Sequence, residues 1–502
     1  MPHARRTQVE SAQMGMMYYP KKHKRIQFRR IRAPLSRFAG IDADKTSTTL
    51  PCDWTACCYN FGFRNGRLVP GVGISELKIV SPIDGTARRI PTMPLCKERR
   101  TLFVAKNDDR SRNYTTLVVS DENGLETLAA GEGENWRHAV CDQRIRQATT
   151  YRHKDRDLLL MTGAFDGILI RDGDEIRAVA DALRVCSLCV HEERVFAVAQ
   201  GKRNALWYSS AFDPYNWNVS AQEGGYIEFD GTLGEVNVVK SLGDYLYIFC
   251  DYGIYRLSVY AEQSQFALKK IYSACDRIYA GSIVECKDAI AFATARGIYL
   301  FDGYDAAKFA FCAEDIPIEE GATIDGAYAD ERYYLSISDT RAQTCEYGAL
   351  DREPGKYVLL AVDLPSRTMS MLRGVRLHSL QTMMTPCQSC AVGISDDTDS
   401  VVTLDDGGAY LGKTPVRLWK AKGIDFGQSA QVKIVRRIEY STRSQYVLGI
   451  VADGQTHEFV LSPKRNEVST AVRGREFDFY IRSDAADAEI APPYLTVDIM
   501  ER

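Results

Sequence analysis

Two pairs of cysteines have the Cys-x-x-Cys spacing of zinc sites, Cys186 with Cys189 and Cys387 with Cys390. Two such pairs can together supply the four thiolates of a tetrahedral zinc centre. About 200 residues separate the pairs, no histidine stands at ligand spacing, and both pairs adjoin apolar, strand-like segments. We therefore predict that these thiols pack in the core and that the chain has no metal site, which zinc analysis of the purified protein would test.

No sequence motif of a nucleophile elbow, a phosphate-binding loop or a metalloprotease helix is present, and each of these motifs needs a helix that follows a strand. Histidines are scattered along the chain, at positions His3, His23, His138, His153, His191, His378 and His457. These histidines form no cluster along the sequence, so none is placed next to a nucleophile as its general acid or base. The sequence predicts a protein that is not an enzyme and that binds no cofactor.

The composition is that of a folded chain. Its 502 residues are 45% hydrophobic and 26% charged, with a formal net charge of -3, which excludes dominant disorder and a globally basic nucleic-acid binder. No apolar run approaches the roughly 18 residues that a membrane span needs, and the first residues lack the apolar region of a secretory signal. We therefore expect synthesis in a cytoplasm, where the 14 cysteines act as small buried hydrophobic residues.

Residues 1–50 form a basic N-terminal arm in this interpretation. Among its first 37 residues ten lysines and arginines oppose a single acidic residue, Glu10. Two readings stay open: a solvated tail, or a segment that docks on an acidic partner surface or nucleic acid. The candidate docking residues are Lys21, Lys22, Lys24, Arg25, Arg29 and Arg30.

Residues 51–412 repeat one pattern, an apolar strand, a short glycine-containing turn and a second strand rich in aromatic residues. The turn glycines of the clearest copies are Gly167, Gly253 and Gly297, with a degenerate copy at Gly408 and a related one that starts at Val195. A period of about 40–50 residues matches a four-stranded propeller blade. Further copies are expected at 101–128, 327–372 and 57–90, so the sequence predicts six to eight blades, with seven preferred.

Residues 413–502 change pattern and predict a small β-sandwich. Five segments alternate apolar and polar residues, and Asp453-Gly454 between two of them favours a tight hairpin. The predicted fold is therefore all-β: a β-propeller of about seven blades, followed by a C-terminal β-sandwich and preceded by the basic arm.

The most distinctive segment is the turn in residues 209–218, with Asp213, Pro214 and Trp217 as its structural residues. Asp accepts backbone hydrogen bonds, Pro fixes φ, and a Trp can fold back over the hairpin. The segment is similar to the Asp-box of sialidase propellers, but its serine is one position too far from Asp213 and the glycine of that turn is replaced. A glycan-cleaving or glycan-binding propeller is therefore an alternative interpretation.

The pattern Leu-Trp-Tyr-Ser-x-x-x-Asp-Pro-x-x-Trp at 206–217, the stretches 224–227 and 242–256, and the C-terminal segments 419–427, 433–437 and 473–477 resemble propeller-type tail hub or nozzle proteins of tailed bacteriophages, some of them called packaged-DNA stabilisation proteins. The resemblance covers 185–301 and 413–502. It implies a structural protein of the virion neck or tail, made in the host cytoplasm.

As partners, the resemblance implies other copies in a ring, for which a hexamer is one candidate, together with adjoining portal, adaptor or tail proteins. It also implies non-specific contact with passing double-stranded DNA that the ring retains or conducts. The other alternative is a cellular propeller that acts as an interaction scaffold.

Overall fold

The structure is a computed structural model. It describes residues 27–38, 40–41, 54–55, 57–80, 87–89, 101–109, 112–120, 124–129, 137–140, 145–163, 167–173, 175–179, 184–221, 223–260, 263–309, 323–338, 357–384, 389–395, 397–398 and 400–501. In these ranges all regular structure is β-strand except two short 3-10 helices, η1 (Gln263–Gln265) and η2 (Ala280–Ser282). No helix among the described residues has the length and apolar character that crossing a membrane requires.

Nine short strands come first along the described chain. They are β1 (Gln27–Pro34), β2 (Gly40–Ile41), β3 (Trp54–Thr55), β4 (Cys57–Tyr59), β5 (Phe61–Arg64), β6 (Arg67–Pro70), β7 (Gly73–Glu76), β8 (Lys78–Val80) and β9 (Ala87–Arg89). Three pairs among them form two-stranded sheets, β2 with β3, β5 with β6, and β8 with β9. The other three strands join larger sheets that are formed much later in the chain.

Six four-stranded antiparallel sheets follow, each made of consecutive strands. The first three contain β10 (Thr101–Asp109), β11 (Arg112–Ser120), β12 (Gly124–Ala129) and β13 (Arg137–Val140); β14 (Ile145–His153), β15 (Arg156–Gly163), β16 (Ile168–Asp172) and β17 (Glu175–Ala178); β18 (Val185–His191), β19 (Arg194–Ala199), β20 (Ala205–Tyr208) and β21 (Gly225–Glu228).

The next three contain β22 (Val236–Leu242), β23 (Tyr245–Cys250), β24 (Gly253–Ser258) and β25 (Ala267–Ser273); β26 (Val284–Cys286), β27 (Ala289–Thr294), β28 (Gly297–Phe301) and β29 (Ala306–Lys308); β30 (Ile324–Ala329), β31 (Arg332–Ser338), β32 (Tyr357–Asp363) and β33 (Thr368–Arg373).

A further four-stranded sheet contains β34 (Leu377–Met384), β35 (Ser389–Ser395) and β36 (Ser400–Asp405), and its fourth strand is β7 from the N-terminal region. β7 pairs antiparallel with β36, with Ile74 opposite Leu404, and Ile74 is almost fully buried. One sheet is therefore built from two distant parts of the chain, which fastens its outer edge.

The innermost strands of these sheets lie side by side in a ring. Contacts join β10 to β14, β14 to β18, β18 to β22, β26 to β30, β30 to β34, and β34 back to β10. Between β22 and β26 the ion pair of Lys240 and Glu285 spans 3.8 Å. The sheets thus form a β-propeller, which confirms the predicted all-β class and propeller architecture.

The second strand of a sheet is buried on both faces because a neighbouring sheet covers each face. Every residue of β19 (Arg194–Ala199) is buried, as are all residues of β23 after Tyr245. The continuous apolar runs that repeat in the sequence are therefore the middle strands of the sheets, and the turn glycines Gly253 and Gly297 begin the third strands.

The C-terminal strands form two larger sheets. The strands are β37 (Arg417–Ile424), β38 (Lys433–Glu439), β39 (Tyr446–Ala452), β40 (Gln455–Leu461), β41 (Glu467–Gly474), β42 (Phe477–Ser483) and β43 (Tyr494–Glu501). One sheet has the order β1-β43-β38-β41, and the other has the order β4-β37-β42-β39-β40.

The strand pairing differs from the predicted boundaries at 50 and 412. Part of the predicted arm, β1, is an ordered strand paired with β43, and β4 pairs with β37, so both lie in the C-terminal sheets. Residues 57–90, expected as a propeller copy, instead contribute strands to several sheets. The degenerate copy at Gly408 differs too: β36 precedes this glycine and pairs with β7, while Tyr410 makes only isolated bridges.

Candidate functional site

A central cavity of about 1140 Å³ lies among the innermost strands of the propeller. Its charged lining residues come from four different sheets and their connections, and they are Arg203, Lys240, Arg277, Lys287, Glu285 and Asp325. Four cations therefore face two carboxylates. Because this cavity lies at the propeller axis and gathers charged side chains from several sheets, it is our candidate site.

Ion pairs hold most of these cations. Arg277 Nε lies 3.1 Å from an Asp251 carboxylate oxygen, and Arg203 lies 3.3 Å from Glu235. Burial raises the pKa of Asp325, although the backbone N–H of Ser379 donates a 2.9 Å hydrogen bond to its carboxylate. The cavity wall is thus polar, largely paired and only weakly cationic.

Polar side chains fasten several of the innermost strands to their neighbours. The Gln147 amide donates to the Leu188 carbonyl at 3.1 Å and accepts from the Leu188 N–H at 2.9 Å. Thr382 Oγ1 makes the same pair of bonds with the backbone of Tyr328, at 2.7 and 3.2 Å. Such buried or half-buried bonds between sheets fix the shape of the cavity, because breaking one leaves a polar group without a partner.

The cysteines of the first predicted pair both lie in the cavity wall, on β18. Cys186 Sγ lies 3.5 Å from the Val198 carbonyl. Burial raises the pKa of the Cys189 thiol to about 12. Cys390 is half-buried on β35, Cys387 lies outside the described residues, and in the described ranges no three His, Cys, Asp or Glu side chains come together as metal ligands.

The segment 209–218 folds as a compact turn. Asp213 Oδ1 accepts a 3.0 Å hydrogen bond from the Tyr215 N–H, and Trp217 Nε1 donates to the Pro214 carbonyl at 2.9 Å. The Trp217 ring packs on the apolar cluster between the sheets that start with β14 and β18. Asp213, Pro214 and Trp217 therefore close a loop, and the cavity is lined by other residues.

Of the candidate docking residues, Lys21, Lys22, Lys24 and Arg25 lie outside the described residues. Arg29 and Arg30 are exposed on β1. Arg30 makes a two-pronged ion pair with Asp498 on β43, at 2.7 and 3.1 Å, and Arg436 reaches the same carboxylate at 3.0 Å. Arg30 thus already fastens the N-terminal strand to the C-terminal sheet.

Hydrogen bonding to Arg30 holds the pKa of Asp498 below its ordinary value. We expect Asp498→Asn to lower the thermal midpoint modestly at pH 7. The contribution of a carboxylate with a lowered pKa is complete above the unfolded-state value of about 3.9 and is lost as pH falls through the folded-state pKa. The difference between the thermal midpoints of the two proteins should therefore begin to shrink as the pH falls below about 4 and disappear below the folded-state pKa of Asp498; a difference that stays constant down to about pH 2 would contradict this role.

Sequence reasoning missed the charged residues of the cavity. Lys240, Glu285 and Asp325 are far apart in sequence and line one cavity because each lies on the first strand of a different sheet. The available signal was their position within the repeat, since the first strand of every propeller sheet lines the axis.

The sequence matches no protein-family model and no curated protein. Among solved structures, the chain is similar to BamB from Moraxella catarrhalis, with 11% identity and a TM-score of 0.39 over 70% of this chain and 98% of that one. It is similar to the Pan2 WD40 domain of Neurospora crassa, with 9% identity and a TM-score of 0.37 over 61% and 87%.

A third similar structure is the extracellular domain of a putative one component system from B. thetaiotaomicron, with 10% identity and a TM-score of 0.41 over 91% of this chain and 64% of that one. These likenesses are too weak to carry an argument about function. The propeller assignment therefore rests on the strand pairing and on the ring of inner strands.

Proposed function

We propose that this chain is a non-enzymatic structural protein of a bacteriophage virion, a hub or nozzle of the neck or tail that forms a ring around the DNA passage. The resemblance of segments 185–301 and 413–502 to such proteins motivates the proposal. The contacts between the propeller and the C-terminal sheets support it, because a part that guides or retains pressurised DNA has to be stiff.

The observation that carries the proposal is the way the N-terminal strands connect the two halves. β7 closes a propeller sheet, while β1 and β4 extend the two C-terminal sheets. A single apolar cluster runs from Tyr333 and Leu360 in the propeller to Trp419 and Ile481 in the C-terminal sheets. Because these strands cross between units, bending one unit against the other would break strand pairing and expose core.

The contact between the halves is also polar. The Asn60 N–H donates to the Met371 carbonyl at 2.7 Å, and the Arg373 guanidinium lies 3.7 Å from the centre of the Tyr59 ring. Arg332 of the propeller pairs with Asp406, which Arg64 of the β5–β6 hairpin also contacts, at 3.2 Å. Apolar and charged contacts together favour one rigid body over two flexibly linked domains.

In this proposal the propeller has seven blades, β7 being the outer strand of the last, and the two C-terminal sheets form a β-sandwich. The sheets that start with β10, β14, β18, β22, β26, β30 and β34 would be the blades. The inner faces of the C-terminal sheets share one cluster, which includes Val435 and Val497 from one sheet and Leu448 and Phe479 from the other, as a sandwich requires.

DNA would pass between copies of the protein and not through a single propeller. The major groove of B-DNA alone is about 12 Å wide and about 8.5 Å deep. A cavity of about 1140 Å³ crossed by paired side chains has no room for a duplex of any useful length. A ring of several copies provides the wider lumen, and neighbouring portal, adaptor or tail proteins would cap it.

Native mass spectrometry and negative-stain imaging of the purified chain, alone and mixed with its neighbouring virion proteins, test the proposal. We expect closed rings with one stoichiometry. A chain that stays monomeric in every mixture would refute the proposal.

A glycan-binding propeller is the second candidate, favoured by aromatic rings on the surface. Tyr226 is 45% exposed and lies 4.7 Å from Trp207, centre to centre, with the Lys202 ammonium 5.8 Å from the Trp207 ring. The test is binding of host polysaccharide. Binding that is lost in Trp207→Ala but kept in a variant of Phe212, on the 209–218 turn, would favour this candidate over the ring.

A further inference from the structure

Among the described residues, five tight turns join the first and second strands of successive propeller sheets. Each has two residues at its tip, and the tips are 154–155, 192–193, 243–244, 287–288 and 330–331. Hydrogen bonds between the neighbouring inner strands β18 and β22 show their relative direction. Ser187, earlier in β18, bonds to Val239, earlier in β22, and His191 at the end of β18 bonds to Ser241 near the end of β22. The inner strands therefore run in the same direction, and all five tips emerge on one face, which we call the hairpin face.

The described part of the hairpin face is strongly acidic. Its ten tip residues include seven carboxylates and two lysines, and all are exposed: Lys154, Asp155, Glu192, Glu193, Gly243, Asp244, Lys287, Asp288, Asp330 and Glu331. The acidic tips surround the end of the cavity at which Lys240, Glu285 and Tyr328 lie. A negative field at a concave mouth attracts cationic ligands.

Turn geometry does not explain these glutamates. Glu192, Glu193 and Glu331 all have positive φ, at 45°, 60° and 60°. Two-residue turns of this kind favour Asn, Asp and Gly at such positions. Lys154 and Lys287 occupy the same kind of position, at 54° and 56°, so these turns accept long charged side chains of either sign.

A buried histidine lies directly beneath one tip. The His191 side chain is 5% exposed, and its Nδ1 lies 2.8 Å from Ser241 Oγ, but Nε2 has no hydrogen-bond partner among the described residues. Burial lowers the pKa of His191, so the ring is neutral at pH 7. An unpaired ring nitrogen therefore lies buried at the base of the 192–193 tip.

We propose that the hairpin face binds the basic segment formed by residues 1–26 of a neighbouring copy. This segment contains six lysines and arginines and one glutamate, and it leads into β1, which the C-terminal sheet holds in place. In a ring of more than two identical copies each interface joins two different surfaces. An acidic face and a basic segment of one chain are two such surfaces, so the inference rests on the proposed ring.

Charge reversal on the hairpin face tests this interface in the full-length protein. The test variant combines Glu192→Lys and Glu331→Lys. The control variant combines Glu228→Lys and Glu476→Lys, at exposed positions away from the hairpin face. Each double variant changes the formal net charge from -3 to +1. At about 0.15 M salt we expect roughly tenfold weaker self-association for the first variant only, since each exposed pair contributes up to about 1 kcal/mol. Adding Lys21→Glu and Lys22→Glu to the first variant should restore self-association, because the charges of both surfaces are then reversed.

Carbodiimide cross-linking of mixed unlabelled and ¹⁵N-labelled protein identifies the occupant. We expect links between Lys21, Lys22 or Lys24 and tip carboxylates, half of them between differently labelled copies. Links within one copy only, no links at the tips, or equal assembly of both double variants would overturn the proposal. A wild-type chain that never assembles would instead overturn the ring on which this inference rests, whereas a ring that assembles without tip links would overturn the inference alone.

Discussion

Replacing Trp419 by alanine should lower the free energy of unfolding by about 3–5 kcal/mol, the range for deleting a fully buried large aromatic side chain. Trp419 is 1% exposed, and its ring makes an edge-to-face contact with Phe38, with 5.1 Å between ring centres. Phe38 follows β1, so the contact joins the two ends of the chain inside the cluster that reaches into the propeller.

This cluster also determines how the protein unfolds. Because propeller and C-terminal residues share it, we expect one transition in which tryptophan fluorescence and far-UV circular dichroism coincide, and Trp419→Ala should shift it as a whole. The matched control is Val460→Ala on β40 of the same sheet, 60% exposed, which should change stability by less than about 0.5 kcal/mol. Two separate transitions, only one of which moves, would show that the halves are independent.

The propeller could be predicted from the sequence because its signals are local. The hairpin of β23 and β24 needs only the turn before Gly253, and the same arrangement recurs before Gly297, so a period of 44 residues is visible in one chain. The Asp453-Gly454 hairpin between β39 and β40 is equally local, and its Asp adopts the positive φ that such turns require.

The N-terminal strands could not be assigned because their partners lie hundreds of residues away. β4 has three residues and β7 has four, too few to show a period of two. The charges of β1 were visible but misleading: Arg30 looked free to dock on a partner, whereas the buried carboxylate of Asp498 lies opposite it in the strand register. Only the fold brings that carboxylate to it.

The hairpin face could not be predicted from the sequence for the same reason: its residues come together only in the fold. The turns at Glu192 and Asp330 are unremarkable as isolated dipeptides, because charged residues are ordinary in exposed turns. Their common face follows from the parallel order of the inner strands, and only then does the excess of carboxylates become a feature of one surface. A repeat alignment that compared turn residues across blades would have found it.

The closing strand β7 is the second place where one side chain should have a large effect. Ile74 is 1% exposed, contacts the cluster formed by the sheets that start with β30 and β34, and exchanges backbone hydrogen bonds with the 409–411 segment, at 2.7 and 2.8 Å. Ile74→Asp places an unpaired carboxylate in that core, which should cost about 3–5 kcal/mol. Because β7 is only four residues long, we expect it to detach locally before the protein unfolds.

Hydrogen exchange measured by mass spectrometry tests whether β7 detaches locally. In Ile74→Asp, exchange should increase in β7 and β36 and extend to β35, while β19 and β23, on other sheets, keep their protection. Ile74→Val is the control that keeps the strand apolar, and it should cost only about 0.5–1.5 kcal/mol without local opening. Protection lost evenly over all sheets would mean that the ring opens as a unit, and unchanged protection in β36 would mean that β7 does not close it.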